Sequence, residues 1–277
     1  MSIVRTERDG RVLTVTLDNP PRNLMNRRMV GELDALTREL EADDSIGAVV
    51  MTGAPDDVFV SHFDVAELLA GAEAGREATE AGLELIHGLF LRMNRMDKVF
   101  VAAVNGLALG SGCELALACD LRLMAEGEQH RIGLPELSVG IIPGAGGTQR
   151  LTRALGPSRA LEFMLEAEPL TPQQAVELGL VHRTVASDEL SEVARATAER
   201  LARRSAVTVG ALKRAVYFGG TAGVEEGLAM EREGFHAAVS SAAAARALRA
   251  YVEQGAALAD ITAILPWREG TAVDLTS

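Results

Sequence analysis

The sequence predicts an α/β fold that passes into a helical C-terminal section, and three observations predict it. "KVFVAAVNG", "GCELALACD" and "DLRLMAE" read in order as buried strand, helix and strand, the pattern of a parallel unit with a right-handed crossover. Two earlier apolar segments, "VLTVTLDNPP" and "IGAVVMTGAP", read as strands that stop at proline or glycine. From Thr171 onward the pattern is mainly helical, and the later helices are rich in alanine.

The elements follow from local chemistry. Residues 29–42 carry Leu33, Leu36 and Leu40 at helical spacing. Residues 64–96 are helix-like but interrupted by Gly71, Gly75 and Gly82, and glycine weakens helices. "IGLPELSVGIIPGAGGTQRL" is rich in loop residues and enters a helix near Thr148. "TPQQAVELGL" opens with a Thr cap and a proline at the first helical position. Residues 241–254 form an amphipathic helical pattern. The composition shift near residue 200 divides the chain into a core, 1–200, and a helical C-terminal region, 201–277.

The 277 residues are 48% hydrophobic, enough for a sizeable core. A net charge of −12 argues against a broad surface for nucleic acid or acidic membrane, though not against a local basic pocket. The N-terminus lacks the regions of a signal peptide, and no apolar run reaches the length of a membrane span, so a soluble cytoplasmic protein is expected. Cys113 and Cys119 form no disulfide framework or zinc motif and read as small core residues. His87, His130, His182 and His236 show no metal-like spacing.

The stretch at 105–120, "NGLALGSGCELALACD", places one carboxylate, Glu114, in a small apolar run. A buried ionised carboxylate without partners is very costly. Partial desolvation would raise its pKa toward the range useful for proton transfer. On these residues alone, a carboxylate that neutralises a helix dipole is an equal alternative. Glu136, in "IGLPELSVG", could face Glu114 across a pocket and share acid and base roles, or could lie in solvent. "VFVSHFDVAELL" and "NGLALGSGCELA" both join a strand to a helix. Their unpaired amides could together bind an oxygen gaining negative charge, or the glycines could mark tight turns only.

"NPPRNLMN", "NGLALGSGCELALACD" and "LPELSVGIIPGAGGTQRL" together resemble the crotonase superfamily, and within it the enoyl-CoA hydratases. The resemblance runs from the first strand to about Val185. It implies a spiral of ββα units followed by a helical trimerisation region, with a homotrimer or a dimer of trimers as the assembly. It implies an acyl-CoA thioester as substrate, hydration of a 2-enoyl-CoA as the reaction, and no separate cofactor or metal, CoA being part of the substrate. Glu114 and Glu136 fall on the catalytic glutamates, Glu136 as proton donor to the α-carbon and Glu114 as the group that positions and activates water. The backbone N–H groups of Phe63 and Ser111 fall on the oxyanion donors. Arg22, Leu24, Ser61, His62, Asp64 and Gly110 fall on substrate-binding positions, with a solvated loop charge as the alternative for Arg22. Isomerisation, decarboxylation and thioester hydrolysis would use the same enolate-holding donors, and a non-catalytic acyl-CoA-binding subunit is the reading from another class.

Three departures from the family pattern stand out. Ser111 occupies the centre of what is usually Gly-Gly-Gly. "SHFD", residues 61–64, is bulkier than the usual small loop, and His62 within it reads as a packing residue or a pocket base. Ala66 stands where a lysine is common. Asp120 and Arg122 read as structural polar contacts. "PGAGGTQR" lacks the Lys-Thr/Ser ending of a phosphate loop and reads as support for the active-site wall.

Overall fold

The structure is a computed structural model that describes residues 2–54 and 56–253. The last residues of the expected C-terminal region, and Gln254 at the end of the final helical pattern, lie outside the described residues.

The chain begins with an antiparallel hairpin, β1 (Val4–Asp9) and β2 (Val12–Leu17). α1 (Arg27–Glu41) follows, capped by the Asn26 side chain, which accepts from the Met29 amide. Strand pairs then alternate with helices. β3 (Ala48–Gly53) and β4 (Asp57–Val60) lead to α2 (Val65–Glu73) and α3 (Arg76–Arg95). β5 (Val99–Val104) and β6 (Gly106–Leu109) lead to α4 (Ser111–Ala118). β7 (Leu121–Ala125) and β8 (Ile132–Gly133) lead to a 3₁₀ turn at Glu136–Val139 and α5 (Gly147–Leu155).

In each pair the first strand joins one sheet and the second joins another. The large sheet has the order β1-β2-β3-β5-β7-β9, with β9 at Arg183–Val185, and is parallel beyond the first hairpin. The small sheet has the order β4-β6-β8 and is parallel throughout. The chain therefore winds as repeated ββα turns. β5 and β7 pair in parallel as the sequence predicts, but β6 intervenes between β5 and α4. "NGLALGSGCELA" is thus a strand and a tight turn, not a simple loop.

Two further differences are physical. Residues 64–96 form two helices, because Gly75 adopts φ +97° between them. Gly71 and Gly82 stay inside helices. The hairpin strand β1 is exposed at every position after Val4, so it has no apolar alternation to read.

The large sheet separates two cores by the two-residue period of a strand. Val99, Val101 and Ala103 pack with Ala194, Ala198 and Ala202 of α8 (Leu190–Ala202). Phe100, Ala102 and Val104 face the larger core with Met29, Phe59 and Phe90. Between β8 and β9 come α6 (Pro157–Glu166) and α7 (Pro172–Leu178). α7 carries the expected Thr171 cap, completed by the Gln174 side chain as a capping box.

The C-terminal helices α9 (Ala206–Tyr217), α10 (Val224–Val239) and α11 (Ala242–Glu253) follow α8. α9 lies against α3, and a polar staple ties it to the core. Lys213 Nζ donates to Asp120 Oδ2 at 2.9 Å and to the carbonyls of Met93 and Lys98, and Tyr217 donates to Asp120 Oδ1. Asp120 also accepts from the Phe100 amide, so it joins β5, α4 and α9. Arg122 donates to the Cys119 and Leu180 carbonyls and covers the end of α4. Both residues have the structural role expected of them.

Breaking a buried pair strands the remaining charge, at a cost of about 3–5 kcal/mol. Asp120→Ala is expected to lower the unfolding free energy by about that amount in urea titrations at fixed protein concentration. The apolar double substitution Asp120→Leu with Lys213→Met should recover only part of the loss, because it removes the stranded charge but leaves the Phe100 amide and Tyr217 hydroxyl without their acceptor.

Candidate active site

Three loops leave the carboxyl ends of β4, β6 and β8, which are neighbours in the small sheet. They carry residues 61–64, 110–112 and 134–136. The Leu109 amide donates to the Ser61 carbonyl at 3.0 Å, and the Gly110 amide to the Gly133 carbonyl at 2.9 Å. These bonds carry the pairing of the strands into the loops.

Gly110 has φ +50°, a conformation that favours glycine, and starts α4. A Cβ on Gly112 would stand 2.2 Å from the Val60 carbonyl oxygen, so only glycine lets β4 lie against α4. Ser111 between them is the first residue of α4 and is not in the positive-φ region, so serine is tolerated there. The expected departure from three glycines therefore leaves the turn intact.

The "SHFD" loop is held by the segment before α1. The Met25 amide donates to the His62 carbonyl and the Asp64 amide to the Met25 carbonyl, forming a parallel bridge between Met25 and Phe63. In such a bridge the Phe63 amide faces away from Met25. Among the described residues, neither the Phe63 nor the Ser111 amide donates to a protein acceptor. Two free amides thus sit on adjacent loops, one of them at the positive end of α4.

The other expected binding residues divide into ligand-facing and structural roles. The Ser61 hydroxyl donates to the Arg22 carbonyl, fixing one loop against the other. Leu24 is half-buried, and its carbonyl accepts from Asn19. The Arg22 side chain is exposed. Asp64 caps α2 by accepting from the Ala66 amide at 2.9 Å. The Nδ1–H of His62 donates to the Phe63 carbonyl at 2.7 Å, which favours the packing role. His62 also lies beside the turn, its Cβ 4.0 Å from where a Cβ on Gly110 would stand.

Glu114 is buried at 2% exposure in the first turns of α4. Its Oε1 accepts from the Ala145 amide at 2.8 Å and the Gly147 amide at 2.7 Å. "PGAGGTQR" is therefore a backbone cradle for a carboxylate. Arg150 folds back to donate to the Ala145 carbonyl and lies 5.4 Å over the Phe90 ring, bracing that cradle. The Glu114 pKa rises from 4.5 to about 7. Burial is the main cause; the Gly147 amide opposes it, the nearby Glu136 charge adds to it, and the Ala145 amide opposes it.

Glu136 begins the 3₁₀ turn after Pro135. Its Oε1 is 3.0 Å from the position of a Cβ on Gly110, so it sits over the turn that starts α4. Its Oε2 is buried with no hydrogen-bond partner. Burial raises its pKa, against a smaller opposing effect of its own amide. The structure thus brings Glu136 to the same turn as Glu114, with Glu114 buried and Glu136 half-buried.

Sequence reasoning missed two groups. Asn23 is fully buried, has φ +51°, and donates to the Phe59 carbonyl at 2.6 Å, locking the segment that bridges Phe63. Its signal was a polar residue after a double proline, which alone reads as a loop. Arg150 was part of a quoted motif, but nothing local said that it would brace Ala145. His130 proves structural, its ring bridging the Ala125 carbonyl and Asp57. Among the described residues, no group of three or more His, Cys, Asp or Glu side chains could hold a metal ion.

The raised Glu114 pKa makes a linkage prediction. The native state keeps this proton to about pH 7, whereas the unfolded chain loses it near 4.5. Glu114 therefore lowers stability progressively as pH rises through that window, and not below it. Glu114→Gln should flatten the fall, measured as unfolding free energy across the same pH range.

The chain matches the family described as "Enoyl-CoA hydratase/isomerase" over residues 7–258. It is 34% identical over 250 residues to a short-chain-enoyl-CoA hydratase of Clostridium acetobutylicum, covering 90% of this chain and 94% of that one. It is 41% identical over 239 residues to a 2,3-dehydroadipyl-CoA hydratase of Escherichia coli, covering 85% and 89%. The crystal structure of an enoyl-CoA hydratase from Bacillus anthracis superposes with a TM-score of 0.83 at 29% identity, covering 91% and 96%. On these similarities the chain has the crotonase fold and belongs to the enoyl-CoA hydratase/isomerase family.

Proposed function

We propose that the protein is a hydro-lyase that adds water across the α,β double bond of a 2-enoyl-CoA thioester. The observation that carries this reading is the pair of carboxyl groups beside the free amides, Glu114 buried and Glu136 half-buried with its Oε2 enclosed. The Phe63 and Ser111 amides hold the thioester oxygen as it gains negative charge. The carboxyl pair shares one proton near neutral pH, and that proton belongs to the pair. Glu114 takes a proton from water while the hydroxyl bonds to the β-carbon. Glu136 gives its proton to the α-carbon. A proton passing from Glu114 back to Glu136 restores the starting state, so the net change is one added water. The reaction needs no cofactor besides CoA, which is part of the substrate.

Arg22, Leu24, Ser61, His62, Asp64 and Gly110 frame the thioester, Arg22 at the rim and the others through the loops they fix. Val65 and Leu69 of α2 and Ile142 beyond Glu136 are exposed apolar side chains suited to an acyl chain. The region from 201 onward serves oligomerisation, as a trimer or a dimer of trimers. Leu212, Val216, Val224, Leu228 and Phe235 are all more than half exposed, and an apolar array of that kind favours cover by another chain. We place the protein in the cytoplasm, where the free thiols of Cys113 and Cys119 are stable. No described helix is long and apolar enough to cross a membrane.

Mass spectrometry of a panel of 2-enoyl-CoA thioesters of varied length tests the reaction. The expected product gains the mass of one water. Isomerisation changes no mass and decarboxylation loses carbon dioxide, so either result would replace the reading. Glu114→Gln and Glu136→Gln should each reduce kcat roughly 10²–10⁴-fold with the fold retained. Light scattering at micromolar concentration should give a trimer or hexamer, and a monomer would remove the oligomer assignment.

A further inference from the structure

Ser111 is serine where nothing in the backbone requires it. Alanine would fit the same helical first position with a better helix propensity. The residue is 5% exposed, and its Oγ has no hydrogen-bond partner. A buried hydroxyl left unpaired costs about 1–3 kcal/mol, and native proteins keep few of them. The other buried side-chain atom without a partner, among the described residues, is Glu136 Oε2 at the same turn. The two are not bonded to each other, so the hydroxyl does not position Glu136.

Direction follows from helix geometry. At the first residue of α4 the Cα–Cβ bond leans toward the helix N-terminus, where the free amide of the same residue also points. A hydroxyl and an amide on one residue can converge on one oxygen. At the positive end of the helix dipole that oxygen is favoured if it carries negative charge. The hydroxyl turns about a single bond, so it can follow the oxygen as charge develops.

We propose that the Ser111 hydroxyl is a third donor to the thioester oxygen, beside the Phe63 and Ser111 amides. The proposal rests on the acyl-CoA reading above. It makes Ser111 a catalytic residue through its side chain as well as its backbone.

Ser111→Ala removes the hydroxyl and keeps the amide and the helix. With a 2-enoyl-CoA, kcat should fall about 10- to 100-fold while KM changes little. A second readout does not depend on hydration. A bound 3-ketoacyl-CoA should form its enolate, seen by ultraviolet absorbance, at an apparent pKa about one unit higher in Ser111→Ala, matching the tenfold effect. Thermal stability should be unchanged or raised, because the variant removes an unpaired buried group. Unchanged kcat together with an unchanged enolate titration would overturn the third donor, even if the wild-type protein hydrates enoyl-CoA. A shifted enolate titration in a wild-type protein that hydrates nothing would keep the donor and overturn the hydratase reading.

Discussion

Parallel pairing of β4, β6 and β8 is the constraint on which the site depends. Parallel strands point the same way, so the loops that follow them emerge at one edge, where ligands of open α/β sheets commonly bind. Bonds from Leu109 to Ser61 and from Gly110 to Gly133 extend that pairing past the strands themselves. The loops are therefore placed by main-chain bonds, to which the Ser61 hydroxyl and the Asn23 side chain add ties of their own. The cost is a demand for glycine where backbones touch, which Gly112 meets against Val60. Loss of that contact would move the Ser111 amide and Glu114 together.

Within this frame the electrostatics of Glu114 are a balance. Burial favours the neutral acid, and the nearby Glu136 charge acts in the same direction. The two amides of the 145–147 loop favour the ionised form. The outcome is a group that titrates near neutrality and can both hold and release a proton. The same cradle links α4 to α5, so tuning of the acid and placement of the wall are one structural feature. Arg150 serves both ends, since it braces Ala145 and its charge also acts on Glu114.

The helical C-terminal region is joined to this arrangement through Asp120. That carboxylate accepts from Phe100 in β5, Lys213 in α9 and Tyr217 at its end, immediately after the helix that carries Glu114. A cation buried with three oxygen partners is satisfied where a cation with one would not be. Packing in α9 is thereby continuous with the base of the site, while its outward side chains Leu212 and Val216 stay exposed.

The sequence by itself determined the features that depend on local chemistry or a repeated motif. Alternation and apolar runs located β2, β3, β5 and β7; Thr171 and Pro172 located α7; the resemblance of the glycine-turn and glutamate motifs to a known family pointed to the candidate chemistry. Only the tertiary structure decided the rest. β6 and β8 are four and two residues long, too short to show a period, and exist because neighbours pair with them. β1 is exposed beyond Val4 and is a strand because β2 pairs with it. Asn23 acts on Phe59, Arg150 donates to the Asn94 side-chain oxygen as well as to Ala145, and Lys213 acts on Met93; Phe59, Asn94 and Met93 are 36, 56 and 120 residues away, distances over which no local pattern carries information. Whether Glu114 and Glu136 met was likewise beyond spacing alone, because their separation in the chain is bridged by strands of two different sheets.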